Sequence, residues 1–447
     1  MAETTLQDTT EKLSGLKLQG VSRIKASLTE DGKIPEALIL ELHSDDPKVQ
    51  LTAVTAIRRI RAPEAIIDAG LLRTLVSMLD SEDTPLRCEA AWTVVDIAGG
   101  TSQETAQVVA AGAIPKLVAL SSSPSQYVAD NAVWALANIV LDSPSFRDRV
   151  AAEGGIDAFV RLLNHPETTR RVQGTAMWGV SVYLKPWPSR LLAVGRVKHF
   201  VPLLVRYIQE APVDETTSDD DKESIKFAVR SLTRILDLGF KHSDVIKMGP
   251  LVPRLVHLLA DSSSGAALQK EVLDCIDRFI YAGDCETDAT IEAGLFLALL
   301  LHLETEDEDL CRKALWSASN IAAGTRSQAH ALMDCGLLKH AARILADDQS
   351  PLDCRREACW IIKGLSRKLS GDAKVAQAFI DERCVEGLSA ALQIPCVKTR
   401  ELAISAITKL LQYQDPQGFQ ARESLLAPIQ TSSVPQNLRC VRDSPSP

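Results

Sequence analysis

Glu89-Ala-Ala-Trp92-Thr-Val-Val-Asp96-Ile-Ala and Asn131-Ala-Val-Trp134-Ala-Leu-Ala-Asn138-Ile-Val are two versions of one phrase, 42 positions apart in the chain. Each phrase places a tryptophan four positions before a polar residue, among small and aliphatic side chains. The same frame returns at Trp178, Trp316 and Trp360, so five of the six tryptophans occupy one register. The chain is therefore built from a repeated unit.

A second marker of the repeat is a glycine that opens a short apolar phrase. This glycine recurs every 41 or 42 residues where consecutive copies are intact, at Gly70, Gly112, Gly154, Gly195, Gly294 and Gly336. A longer last interval leads to Arg383, where glycine is expected. Helical repeats with a period of about 40 to 47 residues are typical of HEAT and armadillo arrays. Within one copy we predict three helices, for example over 105–111, 114–120 and 125–141.

The composition agrees with helices that pack through aliphatic side chains. Hydrophobic residues make up 46% of the chain and aromatic residues only 4%. No linker rich in Gly, Ser or Pro divides the 447 residues, so we expect one array rather than about three globular domains. We predict an all-α, right-handed armadillo-repeat superhelical solenoid. It would comprise a flexible leader over 1–35, about eight to nine repeats plus a degenerate cap over 36–412, and a disordered tail over 413–447.

Several classes of protein find no support in the sequence. The ten cysteines lack paired spacing and no signal peptide opens the chain, which favours free thiols in a reducing compartment. No apolar run approaches the ~18 residues of a membrane span. We find no phosphate-binding glycine loop, no metal-type spacing among the eight histidines and no nucleophile motif. We therefore expect no enzymatic activity, no metal and no cofactor.

The residue four positions after each tryptophan lies on the same helix face. In a regular stack this face lines one concave groove. Helical layers lie roughly 8 to 10 Å apart, and an extended peptide advances about 3.3 Å per residue, so successive indoles would contact an extended ligand at about every third residue. Amide side chains bind peptide backbone, and lysine or arginine stems fit between indoles. The net charge of −9 favours a basic, unfolded segment as ligand and argues against nucleic acid.

These residues resemble importin-α, the adaptor that binds nuclear localisation signals. The resemblance covers residues 36–412 and includes Trp316-Ser-Ala-Ser-Asn320-Ile-Ala-Ala-Gly324 as well as the two opening phrases. It implies a major peptide site made of Trp92, Asp96, Gly100, Thr105, Asn131, Trp134, Asn138, Asp142 and Trp178. It implies a minor site made of Trp316, Asn320, Gly324, Glu357 and Trp360. By the same resemblance, Gly100, Thr105 and Asp142 match the residues that grip the key lysine of a signal.

The sequence departs from the family pattern at the positions that would hold the peptide backbone. Asp96 can accept a backbone N–H but cannot donate to a carbonyl, and Val182 and Gly364 can do neither. Only Asn138 and Asn320 keep the amide, one in each site. We therefore predict weaker cargo binding than in a typical member of the family.

We expect a nuclear import adaptor of the cytoplasm and nucleus that binds basic extended peptides and contacts neither nucleic acid nor membrane. The family also implies importin-β as a partner, which importin-α recruits through a basic arm. Residues 1–35 instead carry five acidic and five basic residues, which argues against that recruitment. The alternative is an armadillo scaffold, descended from such an adaptor, that no longer serves import. The intervening copies carry Arg230, Arg234 and Arg278, for which groove electrostatics and contact with an acidic ligand both stay open.

Overall fold

A computed structural model describes residues 27–186, 197–241, 244–245, 251–369 and 372–412. The chain divides into two compact units, one ending at Trp187 and one beginning at Pro188. Within the described ranges every regular element is a helix, and none of these helices has the length and apolar character that crossing a membrane requires. The predicted tail, most of the predicted leader and Gly195 lie outside the described residues, so the domain limits stay a prediction.

The first unit consists of short helices and four long ones that pack against each other in chain order. The long helices are α2, α5, α8 and α11 in the following list. The helices are α1 Glu36–Leu42, α2 Pro47–Ile60, α3 Pro63–Asp68, α4 Leu72–Ser77, α5 Thr84–Ala98, α6 Ser102–Ala110, α7 Ala113–Leu120, α8 Gln126–Asp142, α9 Pro144–Ala152, α10 Gly155–Asn164 and α11 Arg170–Tyr183.

The second unit repeats this arrangement, with its long helices α13, α15, α18, α21 and α24 packed successively. Its described helices are α12 Phe200–Glu210, α13 Asp219–Asp237, α14 Leu251–Ala260, α15 Ala266–Ala282, α16 Asp284–Glu292, α17 Leu295–Leu303, α18 Glu308–Ala323, α19 Arg326–Asp334, α20 Leu337–Ala346, α21 Leu352–Ser366, α22 Ala373–Asp381, α23 Cys384–Ala391 and α24 Val397–Leu411. Both units are therefore all-α repeat stacks, which confirms the predicted fold class.

The turn between the first and second helix of a copy uses a left-handed backbone conformation. Gly112 has φ 81° before α7, and Gly336 has φ 91° before α20. Glycine adopts this conformation without a clash of Cβ. Arg383 adopts φ 54° at the same place before α23. The structure thus confirms that Arg383 occupies the glycine position of the repeat.

The core consists of the apolar stripes along the long helices. On α8 the side chains of Val128, Ala132, Leu136 and Ile139 are fully buried, because they recur at the helical period on the side that faces the neighbouring helices. Trp134, on the same helix, lies outside this buried stripe and is half-buried. The nine cysteines within the described ranges are free thiols.

Candidate peptide-binding surfaces

The five register tryptophans all keep contact with solvent. Trp92, Trp134 and Trp178 lie on α5, α8 and α11 of the first unit, and each is half-buried. Trp316 and Trp360 lie on α18 and α21 of the second unit; Trp316 is 40% exposed and Trp360 is half-buried. The indole positions are therefore surface positions rather than core positions.

Trp92 is covered by a cation that belongs to the chain itself. The guanidinium carbon of Arg58, on α2, lies 4.5 Å from the centroid of the Trp92 ring. Arg58 Nε donates to Glu89 Oε2 at 2.7 Å, so the arginine is fixed over the indole by an ion pair. A cation on an indole face is the contact expected from a basic ligand. At Trp92 the protein supplies this contact internally.

The rings of Trp134 and Trp178 carry no such cation from any described residue. Beside Trp134, Asn138 Nδ2 donates to the backbone oxygen of Val95 at 3.2 Å, which ties α8 to α5. A Cβ on Gly99 would lie 3.0 Å from Asn138 Nδ2, so glycine makes room for the amide. Asn138 keeps its carbonyl oxygen as an acceptor.

The three residues that the resemblance assigns to lysine recognition lie in different settings. Asp142 is the last residue of α8, is half-buried, and has no ion pair within the described residues. A carboxylate at a helix C-terminus is opposed by the helix dipole, so a bound cation stabilises it. Thr105, in contrast, is 1% exposed, and its Oγ1 donates to the backbone oxygens of Ala98 and Thr101, at 3.1 Å each.

Gly100 and Gly324 each precede a capping box that begins the next helix. A Cβ on Gly100 would lie 2.2 Å from Glu104 Oε2, and one on Gly324 would lie 2.1 Å from Gln328 Oε1. In both boxes the Glu or Gln side chain folds back over the glycine to accept the N-cap N–H. The local fold therefore accounts for both glycines without a ligand.

Asn131 lies three positions before Trp134, and Asp96 lies four positions after Trp92. Asn131 is 4% exposed, and its Nδ2 donates to the backbone oxygen of Cys88 at 3.3 Å. Asp96 is half-buried, and burial raises the pKa of its carboxyl while the charge of Arg58 opposes that shift. Val182, four residues after Trp178, is buried. Among the described residues of the first unit, the indoles of Trp134 and Trp178 and the carboxylates of Asp96 and Asp142 thus keep contact with solvent and carry no internal ion pair or cation–π contact.

In the second unit a tyrosine joins the predicted pair of Trp316 and Asn320. Tyr281 is in the last turn of α15 and is 52% exposed. Its hydroxyl oxygen accepts from Trp316 Nε1 at 2.7 Å and from Asn320 Nδ2 at 3.0 Å. The three side chains form one polar and aromatic cluster across α15 and α18, which we call the Tyr281 cluster.

The surroundings of Trp360 resemble those of Trp92, because each ring is contacted by a cation of the chain itself. Lys363 Nζ, on the same helix as Trp360, lies 4.6 Å from the centroid of the Trp360 ring. Gly364 is buried, and a Cβ there would lie 3.2 Å from the backbone of Ala322, so glycine permits close packing of α21 on α18. Glu357 is 1% exposed; Arg356 Nε donates to its Oε1 at 3.1 Å, and burial raises the pKa of its carboxyl.

The intervening copies replace tryptophans with ion pairs between successive long helices. Arg230 Nε donates to Glu271 Oε1 at 3.0 Å, and Arg278 Nε donates to Asp237 Oδ1 at 2.5 Å, which links α13 to α15 twice. A third pair, Lys313 with Asp274, links α15 to α18. Two of the arginines that the sequence left unassigned are therefore neutralised within the protein.

Sequence reasoning missed Arg58, Tyr281 and Lys363. Arg58 precedes Trp92 by 34 positions and Tyr281 precedes Trp316 by 35, so each lies on the preceding long helix and meets the indole through stacking. A search for basic or aromatic residues 34 or 35 positions before each tryptophan, about two helical turns after the equivalent position of the preceding copy, would have found both. Lys363 follows Trp360 by three positions, which is a helical neighbour spacing visible in the sequence.

Comparisons with known proteins agree with this architecture. A family model of HEAT repeats matches residues 35–137. Importin subunit alpha-1a of Oryza sativa subsp. japonica is 30% identical over 73% of this chain and 62% of its own length. Importin subunit alpha-5 of Arabidopsis thaliana is 27% identical over 84% of this chain and 70% of its own length. The chain thus spans less than two thirds of the first of these relatives.

A solved structure supports the fold. The crystal structure of an engineered protein matches with a TM-score of 0.68 and 24% identity, covering 89% of this chain and 99% of that one. At this identity the likeness concerns the fold alone. It agrees with a stack of helical repeats in each unit.

Proposed function

We propose that the chain, which is similar to importin subunits alpha over most of its length, is a nuclear import adaptor that binds extended basic segments of cargo proteins along its long helices. The observation that carries the proposal is the solvent contact of Trp134 and Trp178, whose rings lie on two successively packed helices with no cation from a described residue against them. Packing alone does not require an indole to keep contact with solvent at a position that recurs in the repeat. A ligand with flat or flexible cationic side chains fits this surface.

The chemistry of recognition follows from three groups of the first unit. The stem of a lysine would lie between the rings of Trp134 and Trp178, and its ammonium would reach the Asp142 carboxylate. Asn138 Oδ1 would accept a backbone N–H of the peptide. Because Asp142 has no internal partner in the described structure, binding would replace no existing ion pair.

We also propose that cargo binds less tightly than to an importin-α with every amide present. Asn138 and Asn320 each give an amide N–H to an acceptor within the chain, and Val182 and Gly364 offer no polar group. Each missing hydrogen bond to a backbone group costs about 0.5 to 1.5 kcal/mol. The affinity would then depend mainly on side-chain cations.

A binding experiment tests the proposal. Fluorescence anisotropy with a labelled lysine-rich peptide should give saturable binding that Asp142→Asn weakens roughly tenfold or more, because hydrogen bonds to charged groups contribute about 1.5 to 3 kcal/mol. Asp142→Lys should weaken it further through repulsion. Asp157→Asn is the matched control, since Asp157 is exposed on α10, a short helix that carries none of the predicted site residues. Equal affinity of the Asp142 and Asp157 variants would refute the site.

The scaffold alternative is favoured by one specific observation. Arg58 and Lys363 already lie against two of the five indoles, which reduces the surface left for cargo. Affinity capture with the tagged full chain separates the two functions. Recovery of importin-β and of basic cargo supports the adaptor, which would move between cytoplasm and nucleus. Capture of neither, together with no binding of the lysine-rich peptide, supports the scaffold.

A further inference from the structure

Within the Tyr281 cluster, Tyr281 accepts both hydrogen bonds and the other two residues donate them. An indole N–H can only donate, and an amide nitrogen donates as well. The hydroxyl oxygen of Tyr281 therefore accepts two hydrogen bonds, from Trp316 Nε1 at 2.7 Å and from Asn320 Nδ2 at 3.0 Å. A phenol oxygen has two acceptor positions, so its acceptor capacity is filled. The O–H of Tyr281 is left to donate outside this cluster.

Asn320 is left with the complementary group. One of its two amide N–H groups donates to Tyr281, while its Oδ1 accepts no hydrogen bond from the described residues. Asn320 is half-buried and Tyr281 is 52% exposed, so both groups can meet a ligand at the surface beside the Trp316 ring. One donor and one acceptor stand next to each other here. An extended peptide presents the matching pair, a carbonyl oxygen and an N–H.

The position of Tyr281 explains why the donor comes from a different helix. On α15, Arg278 lies 42 positions before Asn320 and so occupies the same place in the repeat, and that side chain is paired with Asp237. Tyr281, three residues later, lies on the same helix face and reaches forward to α18. Burial raises the pKa of the Tyr281 phenol, and the charge of Asp277 adds to this shift. The hydroxyl therefore keeps its proton at neutral pH.

We propose that Tyr281 is a peptide-binding residue of the second unit, whose hydroxyl donates to a backbone carbonyl of an extended basic peptide while Asn320 Oδ1 accepts a backbone N–H. The donor and acceptor roles that one asparagine amide would fill alone are divided here between two side chains. This inference rests on the proposed function. The ligand class is the same lysine-rich extended segment, held in this unit through its backbone rather than through an acidic residue.

The test uses the full chain with the first unit disabled by Asp142→Lys, so that the remaining peptide binding reports the second unit. Adding Tyr281→Phe should weaken binding of the labelled lysine-rich peptide roughly 2- to 10-fold, the range expected for one lost hydrogen bond. Tyr127→Phe is the matched control, because Tyr127 is 47% exposed on α8 of the other unit. An unchanged or higher affinity of Tyr281→Phe would overturn the inference.

A second variant separates ligand binding from a purely structural role. In Tyr281→3-fluorotyrosine, fluorine strengthens the O–H as a donor and weakens the oxygen as an acceptor. Affinity is measured at pH 6, where the phenol is protonated. If Tyr281 donates to the peptide, the fluorotyrosine variant should bind the labelled peptide about twofold more tightly than the unmodified protein. If Tyr281 only orients Trp316 and Asn320, the fluorotyrosine variant should bind the peptide less tightly, because the oxygen is a weaker acceptor. This result would also overturn the inference.

The inference and the proposed function fail in different ways. If the Asp142→Lys protein binds no peptide while the unmodified protein does, the adaptor function stands and the role of Tyr281 is wrong. If the unmodified protein binds no basic peptide, the proposed function itself fails. Circular dichroism of each variant confirms that the helical content is unchanged.

Discussion

Removing Arg58 should make the Trp92 ring accessible to a ligand. Its guanidinium lies 4.5 Å from the Trp92 ring, and Nε donates to Glu89 at 2.7 Å. A partly exposed cation–π contact contributes about 0.5 to 1 kcal/mol, and an ion pair near the surface contributes about 0.2 to 1 kcal/mol. A peptide cation that uses Trp92 must therefore displace about 1 to 2 kcal/mol of internal interaction.

In Arg58→Ala this competition is gone, and Glu89 becomes a free carboxylate beside the exposed ring. We expect the affinity for a lysine-rich peptide to rise roughly 5- to 30-fold, while the unpaired Glu89 lowers the free energy of unfolding. The assay is fluorescence anisotropy at fixed salt. Arg59→Ala is the matched control, since Arg59 is exposed on the same helix and its removal changes the net charge equally. If Arg58→Ala binds no more tightly than Arg59→Ala, the idea of an internal competitor is wrong.

Two further predictions concern stability. Burial raises the pKa of Asp277 to about 7 from 3.8, so the folded state takes up the proton more readily than the unfolded state, and stability falls as pH rises from about 4 to 7. Asp277→Asn should therefore be stabilising at pH 8 by about 1 kcal/mol or more relative to its effect at pH 5; urea unfolding at the two pH values checks this, and an equal effect at both contradicts it. Arg383→Gly should raise the melting temperature, because a left-handed conformation costs a non-glycine residue about 1 kcal/mol; a lower melting temperature would show that the exposed pair of Arg383 with Glu386 matters more.

The repeat register could be predicted because two independent markers report it. Tryptophan and glycine recur with the same period, and the glycine position dictates a backbone conformation that even Arg383 adopts. Helix ends were less predictable. The helix expected over 105–111 instead spans Ser102–Ala110, because the Thr101 and Glu104 side chains form a capping box that begins the helix earlier.

The candidate sites were predictable only to the level of which helix face carries the indoles. Whether a side chain on that face is free depends on the neighbouring repeat. Asn131 and Glu357 both lie three positions before a tryptophan, where the structure directs them into the packing between helices. Arg58 and Tyr281 reach an indole from one repeat earlier, and such a contact is fixed by the stacking of layers rather than by local sequence.

The ion pairs of the intervening copies make the flexibility of the second unit depend on ionic strength. Arg230 with Glu271 and Arg278 with Asp237 connect the same two layers at separate points, and all four side chains are partly exposed. Because salt screens such pairs, added ions would loosen the coupling between layers while leaving the apolar contacts unchanged. The second unit would then become more flexible as the ionic strength rises. The distances between its ligand-binding groups could then adjust more easily to an extended ligand.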